Sequence, residues 1–279
     1  MSERAFVPRA SDPRDQAFLD YWGRVIDWSD PAADKWLAHF EQRVTECRKV
    51  ADAIARHRPL EGARALDVGC QTGALACVMA ERGAVVTGVE PEDWVLEAGR
   101  LRAKGWGVAA TFQTATGESL PFASGSFDVV TFVDVIEHCR DADACLREIA
   151  RVLAPGGVAY VYGPNRFSPH WLKSDPHYGL ALASVLPNEL GRRYVEWRRG
   201  KKGYDVGVFP VGNHVANVLS RAGLELVDSP VHRAKRRATG TLGANASRIE
   251  PLVRAWGQAR LLTDALFTLV AVKPGSERA

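Results

Sequence analysis

The sequence predicts an α/β fold, a mostly parallel sheet covered by helices on both faces. Three observations carry that prediction. Short, nearly continuous apolar runs alternate with helical stretches from Ala63 to Pro164, the pattern of strands buried on both sides. The first run, ARALDVG, passes into a glycine-punctuated turn, Gly69-Cys70-Gln71-Thr72-Gly73, that opens a helix. The second run, AVVTGVE, closes on Glu90, 23 positions after Asp67. Such an order is Rossmann-like: the glycine turn lets backbone approach a ligand, and an acid ending the second strand suits a ribose diol.

The elements follow in order. Residues from Gln16 to about Arg58 read as helical and aromatic-rich, with Phe18, Tyr21, Trp22, Trp28, Trp36 and Phe40. Leu37, Phe40, Val44, Cys47, Val50 and Ile54 fall at helical spacing before Pro59 and Gly62 close the segment. ALACVMAERG is a helix stopped by Gly83, VLEAGRLRAKG a second, VAATFQTA a third strand and FDVVTFVD a fourth. ADACLREIARVL is an amphipathic helix ended by Pro155-Gly156-Gly157, and VAYVYGP is the fifth strand. The alternation then breaks over 165–209, resumes with GNHVANVLSRAGLELVDS, breaks again over 230–262 and ends on the strand LFTLVAVKP. The expected organisation is a helical cap over 1–60 and one Rossmann-like domain over 61–279. The 165–209 insertion lies on the acceptor side, and 230–262 is a second insertion.

Composition excludes several classes. The chain has 279 residues, 46% hydrophobic and 25% charged, ordinary globular values that exclude collagen-like, coiled-coil and disordered readings. No apolar run approaches the roughly 20 residues needed to span a bilayer. The opening MSERAFVPRASDPRD lacks an apolar h-region, so a cytoplasmic protein is expected. The five cysteines, Cys47, Cys70, Cys77, Cys139 and Cys145, include no CxxC pair. They read as free, mostly buried thiols. The net charge of +3, from 36 basic and 33 acidic residues, does not imply nucleic-acid binding.

The loop spacing narrows the ligand. DVGCQTG has glycines at GxxxG spacing, not the GxGxxG of dinucleotide folds, and an aspartate at the strand end. A carboxylate is a poor neighbour for a pyrophosphate and a good one for a cation. This segment resembles motif I of the class I S-adenosylmethionine-dependent methyltransferases, and VTGVEP resembles their next motif. The resemblance continues in GESLPFASGSFDVVTFVDVIEH and LREIARVLAPGGVAYVYGPN. It covers roughly residues 40–165 and looks most like the small-molecule branch that includes ubiquinone-pathway O-methyltransferases. It implies S-adenosylmethionine as cofactor and a small-molecule acceptor, methylated at oxygen ahead of nitrogen or carbon, in secondary, cofactor or glycan metabolism. A noncatalytic cofactor-binding domain is the different-class alternative.

By position, the resemblance places Asp67, Gly69, Cys70, Gln71 and Gly73 at the amino-acid end of the cofactor. It places Glu90 on the ribose hydroxyls, Pro91 near the adenine and Gly117-Glu118 along the adenine edge. Asp134 would line the methionine portion or the acceptor. Two positions depart from the family pattern. Gln71 replaces the usual second glycine, and Thr116-Gly117 stand where an aspartate often precedes an alanine.

Catalysis needs a base only if the nucleophile must lose a proton, and histidine is the default candidate. His138, in Asp134-Val135-Ile136-Glu137-His138, has three readings: a general base, a structural partner, or a ligand with Asp134 and Glu137 of magnesium or manganese. The metal reading rests on ubiquinone-pathway relatives, which this carboxylate-x-x-carboxylate-His spacing resembles. His170 and His177 are candidate bases in the insertion. Tyr21, Trp22, Trp28, Phe167, Trp171 and Tyr178 lie in segments that break the α/β pattern, where loops over strand ends shape an acceptor site. Deleting residues 1–30 is accordingly expected to abolish acceptor turnover while sparing cofactor affinity. Basic clusters at Arg192, Arg193, Arg198, Arg199, Lys201 and Lys202, and at His232 to Arg237, suit an acidic acceptor, a peripheral contact with anionic membrane, or a solvated face. An RNA substrate is not expected, and the oligomeric state is not legible.

Overall fold

The computed structural model describes residues 10–25, 33–175, 177–200, 210–242 and 250–275. Its strands are β1 Arg64–Val68, β2 Val85–Glu90, β3 Ala110–Thr114, β4 Phe127–Val133, β5 Leu153–Pro164, β6 Glu225–Asp228 and β7 Leu266–Val272. They form a seven-stranded mixed sheet in the order β3-β2-β1-β4-β5-β7-β6. The α/β class expected from the alternating runs is the one observed. Two compact bodies divide the chain: residues 1–116 with 126–131, and residues 117–125 with 132–279.

In the first body β2 lies parallel between β1 and β3, with Leu66 beside Thr87 and Glu90 beside Thr114. Ala65, Leu66 and Val68 are buried, as an apolar strand covered on both faces requires. The chain leaves β1 through the glycine turn into a short helix at Ala74–Glu81 whose Ala76, Cys77, Val78 and Met79 are fully buried. A helix apolar all round belongs inside the core. Gly73 has φ 72, and a Cβ there would meet the Phe112 ring at 2.9 Å, so the turn closes only with glycine. The helices of this body are α1 Gln16–Val25, α2 Ala33–Ala55, α3 Ala74–Glu81 and α4 Asp93–Trp106. Phe18 and Leu19 of α1 pack on Ala98 of α4.

Under α1 lies a buried polar knot. Arg102 of α4, 1% exposed, donates from Nε to Asp15 Oδ1 at 3.0 Å. Its Nη1 donates to both the carbonyl and the hydroxyl of Thr72 at 2.8 Å. Trp106 Nε1 donates to the same Asp15 oxygen at 2.8 Å, and the guanidinium lies 3.8 Å over the Phe18 ring. The N-terminal cap is thereby tied, through one arginine, to the glycine turn.

The second body holds α5 Ala142–Val152, α6 Pro169–Lys173, α7 Asn188–Arg199, α8 Gly212–Arg221, α9 Pro230–Leu242 and α10 Glu250–Thr263. Asp141 caps α5, its carboxylate accepting from Ala144 N–H at 2.9 Å. Strand β5 starts at Leu153 rather than at Val158 as the sequence suggested. Proline and glycines end the helix, but Gly156 N–H donates to Lys273 O at 2.8 Å and Lys273 N–H to Gly157 O at 3.0 Å, which draws the segment into the sheet. β7 runs antiparallel to both β5 and β6. The 165–209 insertion contributes α6 and α7, and the 230–262 stretch is the α9–α10 pair. Among the described residues no helix is long and apolar enough to cross a membrane.

Candidate functional site

The first body presents the turn and two carboxylates. Asp67, 3% exposed, accepts from Thr131 Oγ1 at 2.7 Å. Burial pushes its carboxyl up to about 6, against the lowering effects of the Thr131 hydrogen bond and the Arg43 charge. The turn folds back on β2: Gly69 and Cys70 both donate to Val89 O, at 2.8 and 3.0 Å. Gln71 adopts φ 46, the left-handed backbone that glycine takes without penalty. Its N–H donates to Glu90 Oε2 at 3.2 Å, so the departure at the usual second glycine keeps the glycine-like conformation. Cys70 is buried, and its thiol is pushed well above the ordinary range, first by burial.

These residues suit a ligand with a cationic end and a sugar diol. Asp67 would face the cation from a buried position, the turn would let backbone approach, and Glu90 ends β2 with Pro91 just after it, where a ribose and its base would follow. Glu90→Ala is expected to weaken S-adenosylmethionine by about 1.5–3 kcal/mol, the scale of a charged hydrogen bond, as read by calorimetry. Protonation of Asp67 sets a pH dependence. Its folded value of about 6 lies above the ordinary aspartate value of 3.8. In the unliganded protein that shift adds stability in full below pH 3.8, and the addition is lost as pH rises through about 6. A cationic ligand favours the ionised form. Its affinity is therefore expected to fall about tenfold per pH unit below Asp67's folded value, with proton release on binding near pH 6.

Tyr21 and Trp22, expected as acceptor contacts, sit on the first turn of α4. Tyr21 donates from its hydroxyl to Trp94 O at 2.9 Å, and Trp22 stacks on Trp94 at 5.6 Å. Trp94 in turn donates its indole N–H to Glu92. The aromatic cap thus abuts the segment that follows Glu90 and Pro91. Trp28, Lys201 and Lys202 lie outside the described residues.

The second body carries the histidines. Asp134 has φ 56 and donates its N–H to Tyr162 O at 3.0 Å. A 3₁₀ turn covers only Ile136–His138. The helical turn that would have put Asp134, Glu137 and His138 on one face does not form, because the left-handed residue precedes it. The cluster that does form is Glu137, His138 and His177, whose ligand atoms lie within 4.8 Å of one another. Glu137 is 2% exposed, with His177 Nε2 3.7 Å from its Oε1. The His138 and His177 rings meet edge to face at 5.1 Å. Asp175 holds the His177 loop: its Oδ1 accepts from His177 and Tyr178 N–H at 3.0 and 2.8 Å, and its Oδ2 from Leu180 N–H at 2.7 Å. Arg199 of α7 clamps the same loop by donating to Tyr178 O at 2.6 Å.

The other candidates are placed as follows. His170 is exposed and lies edge-on to Trp171 at 4.5 Å. Trp171 donates its indole N–H to Ala265 O at 2.6 Å, so its ring is fixed by packing, while Phe167 stands 49% exposed. Glu118 accepts from Arg140 N–H at 2.9 Å. Gly117 opens the same segment of the second body. Glu118 also lies with Cys139 and Cys145 in a second potential ligand cluster. Arg192 and Arg193 are paired with Glu189, and Arg192 also with Glu196, so much of that basic run is neutralised along its own helix. Sequence reasoning missed Asp175. Its signal was the Asp-Pro-His-Tyr-Gly stretch, a turn sequence with an Asx residue at its head.

Comparison with known proteins identifies the family. A methyltransferase domain family matches residues 66–161. A ubiquinone biosynthesis O-methyltransferase of Sinorhizobium medicae is 29% identical over 270 residues, covering 93% of this chain and 96% of the relative. The same-named protein of Brucella anthropi is 30% identical over 240 residues, covering 85% and 83%. Among solved structures, an S-adenosylmethionine dependent methyltransferase from Mesorhizobium loti superposes with a TM-score of 0.54 at 19% identity. The match covers 80% of this chain and 96% of that one and speaks for the fold.

Proposed function

This chain belongs to the class I S-adenosylmethionine-dependent methyltransferases, and we propose that it methylates a hydroxyl of a small-molecule acceptor with His177 as the proton acceptor. It is an S-adenosylmethionine-dependent enzyme by family. When bound, the cofactor supplies a methyl group on a sulfonium sulfur. That methyl would pass to the acceptor oxygen, leaving the electron pair on sulfur, and the His177 imidazole would take the hydroxyl proton.

The observation that carries the reading is the approach of His177 to buried Glu137 at 3.7 Å. A carboxylate beside an imidazole favours its protonated form, which equips the ring to take a proton as the acceptor oxygen becomes a nucleophile. Asp175 fixes the backbone that carries the ring. The relatives' name, O-methyltransferase, supports oxygen as the acceptor atom. Asp67 and Glu90 are the residues we assign to the amino-acid end and the ribose of the cofactor.

A second reading is favoured by the ligand spacing of Glu137, His138 and His177, which would hold a divalent cation through one carboxylate and two imidazoles. That mixed nitrogen–oxygen set suits manganese or zinc better than magnesium, which prefers an all-oxygen octahedron. The test is turnover to S-adenosylhomocysteine over a panel of phenols, alcohols, amines and carbon acids, with and without excess chelator. Methylation of a hydroxyl that persists in chelator supports the base reading. Loss of turnover restored by manganese establishes the metal reading. Turnover confined to amines or carbon acids overturns oxygen as the acceptor.

A further inference from the structure

The α9–α10 pair carries a cavity that the methyl-transfer reading does not use. On α9, Pro230, Arg233, Ala234 and Arg237 follow one another at i, i+3, i+4 and i+7 and so share a face. On α10, Trp256 and Arg260 share a face at i and i+4, and Asp264 follows the helix end, its N–H donating to Arg260 O at 2.9 Å. The two helices come close because Gly257 meets Val231: a Cβ on Gly257 would stand 2.5 Å from the Val231 Cα. The faces enclose a cavity of about 100 Å³ lined by all seven of these residues.

Its charge is one-sided, with three guanidinium groups against the single carboxylate of Asp264. Two of the arginines are held in place. Arg260 donates from Nε to both Asp264 oxygens, at 3.0 and 2.9 Å, and lies 5.2 Å over the Trp256 ring. Arg233 donates from Nη1 to Asp228 at 3.0 Å. Arg237 has no hydrogen-bond or ion-pair partner among the described residues. Asp228 also accepts from Arg236, so the acid nearest to α9 is already shared between two arginines. Two oriented forks and one unengaged fork converging on a small polar cavity form a site for a tetrahedral oxyanion, which accepts several donors at once.

We propose that the α9–α10 cavity binds a phosphate group through Arg233, Arg237 and Arg260. The phosphate is carried either by a soluble small molecule or by an anionic lipid headgroup, since both present the same oxygens. Calorimetry of the full-length chain with inorganic phosphate at low ionic strength is expected to give saturable binding at one site. Arg237→Gln raises the dissociation constant at least tenfold. Because Arg237 is exposed and unpartnered, that variant keeps the thermal midpoint and S-adenosylmethionine affinity of the parent.

Co-sedimentation with phosphatidylcholine vesicles, with or without phosphatidylglycerol, identifies the source. Retention that needs phosphatidylglycerol and is lost in Arg237→Gln assigns the headgroup. Saturable phosphate binding without such retention assigns a soluble ligand. Neither binding nor retention, or binding and retention unaltered by Arg237→Gln, overturns the proposal.

Discussion

Arg102→Met is expected to lower both the stability of the protein and its affinity for S-adenosylmethionine. Arg102 is 1% exposed and links Asp15, in the N-terminal cap, to Thr72, in the glycine turn. Methionine fills part of the volume but leaves the Asp15 carboxylate buried with only the Trp106 N–H to offset it. Removing one partner of a buried ion pair costs about 3–5 kcal/mol. It also frees the Thr72 carbonyl and hydroxyl, which fix the last residues before Gly73 and α3. Asp15→Asn is the milder probe: its amide oxygen still accepts from both donors, and the expected loss of stability is about 1–3 kcal/mol.

Chemical denaturation reads the stability, and calorimetry at a temperature where each variant is folded reads cofactor binding. A weakened cofactor in folded Asp15→Asn establishes that the cap positions the turn. Unaltered affinity in both variants would reduce the knot to packing. The same geometry revises the expectation for a chain lacking residues 1–30. Because Asp15 leaves with the cap, cofactor affinity falls together with acceptor turnover.

Much of this was legible in the sequence, and the limit has a physical form. The places of Asp67, the glycine turn and Glu90 in the fold were readable because strand, turn and helix are contiguous, and each element leaves its mark within one short stretch. The knot was not readable. Asp15, Thr72 and Arg102 are far apart in the chain, and an arginine inside an amphipathic helix reads as a surface charge. The pair at Glu137 and His177 was half readable. The Glu-His dipeptide drew notice, but its third member arrives from an insertion whose register no periodicity sets. Asp134 stands outside the Glu137, His138 and His177 cluster for a local reason: its left-handed backbone precedes a 3₁₀ turn in place of the helix that the spacing suggests. The β7 direction, antiparallel to β5, also escaped, because an apolar run carries no sign of its orientation.

His177→Ala is expected to cut kcat by about 10²- to 10⁴-fold, the usual contribution of a positioned base, while leaving S-adenosylmethionine affinity in place. The affinity is spared because the substitution leaves Asp67 and Glu90, the residues assigned to the amino-acid end and the ribose of the cofactor, in place. Added imidazole should restore part of the rate, since it returns the proton acceptor without returning the side chain. In the parent enzyme kcat/KM should rise with pH through one ionisation, and His177→Ala should lose that limb. Glu137→Gln keeps the shape but removes the carboxylate 3.7 Å from the ring, so a smaller loss of rate than in His177→Ala is expected. His138→Ala separates the two readings of the cluster. If His177 works as a base, its neighbour at 5.1 Å serves only to pack the ring, and the rate falls little. If the cluster holds a metal, His138→Ala, His177→Ala and chelator all abolish turnover alike, and imidazole rescues none of them. A His177→Ala enzyme with the parent's rate and pH profile would remove His177 from the chemistry altogether.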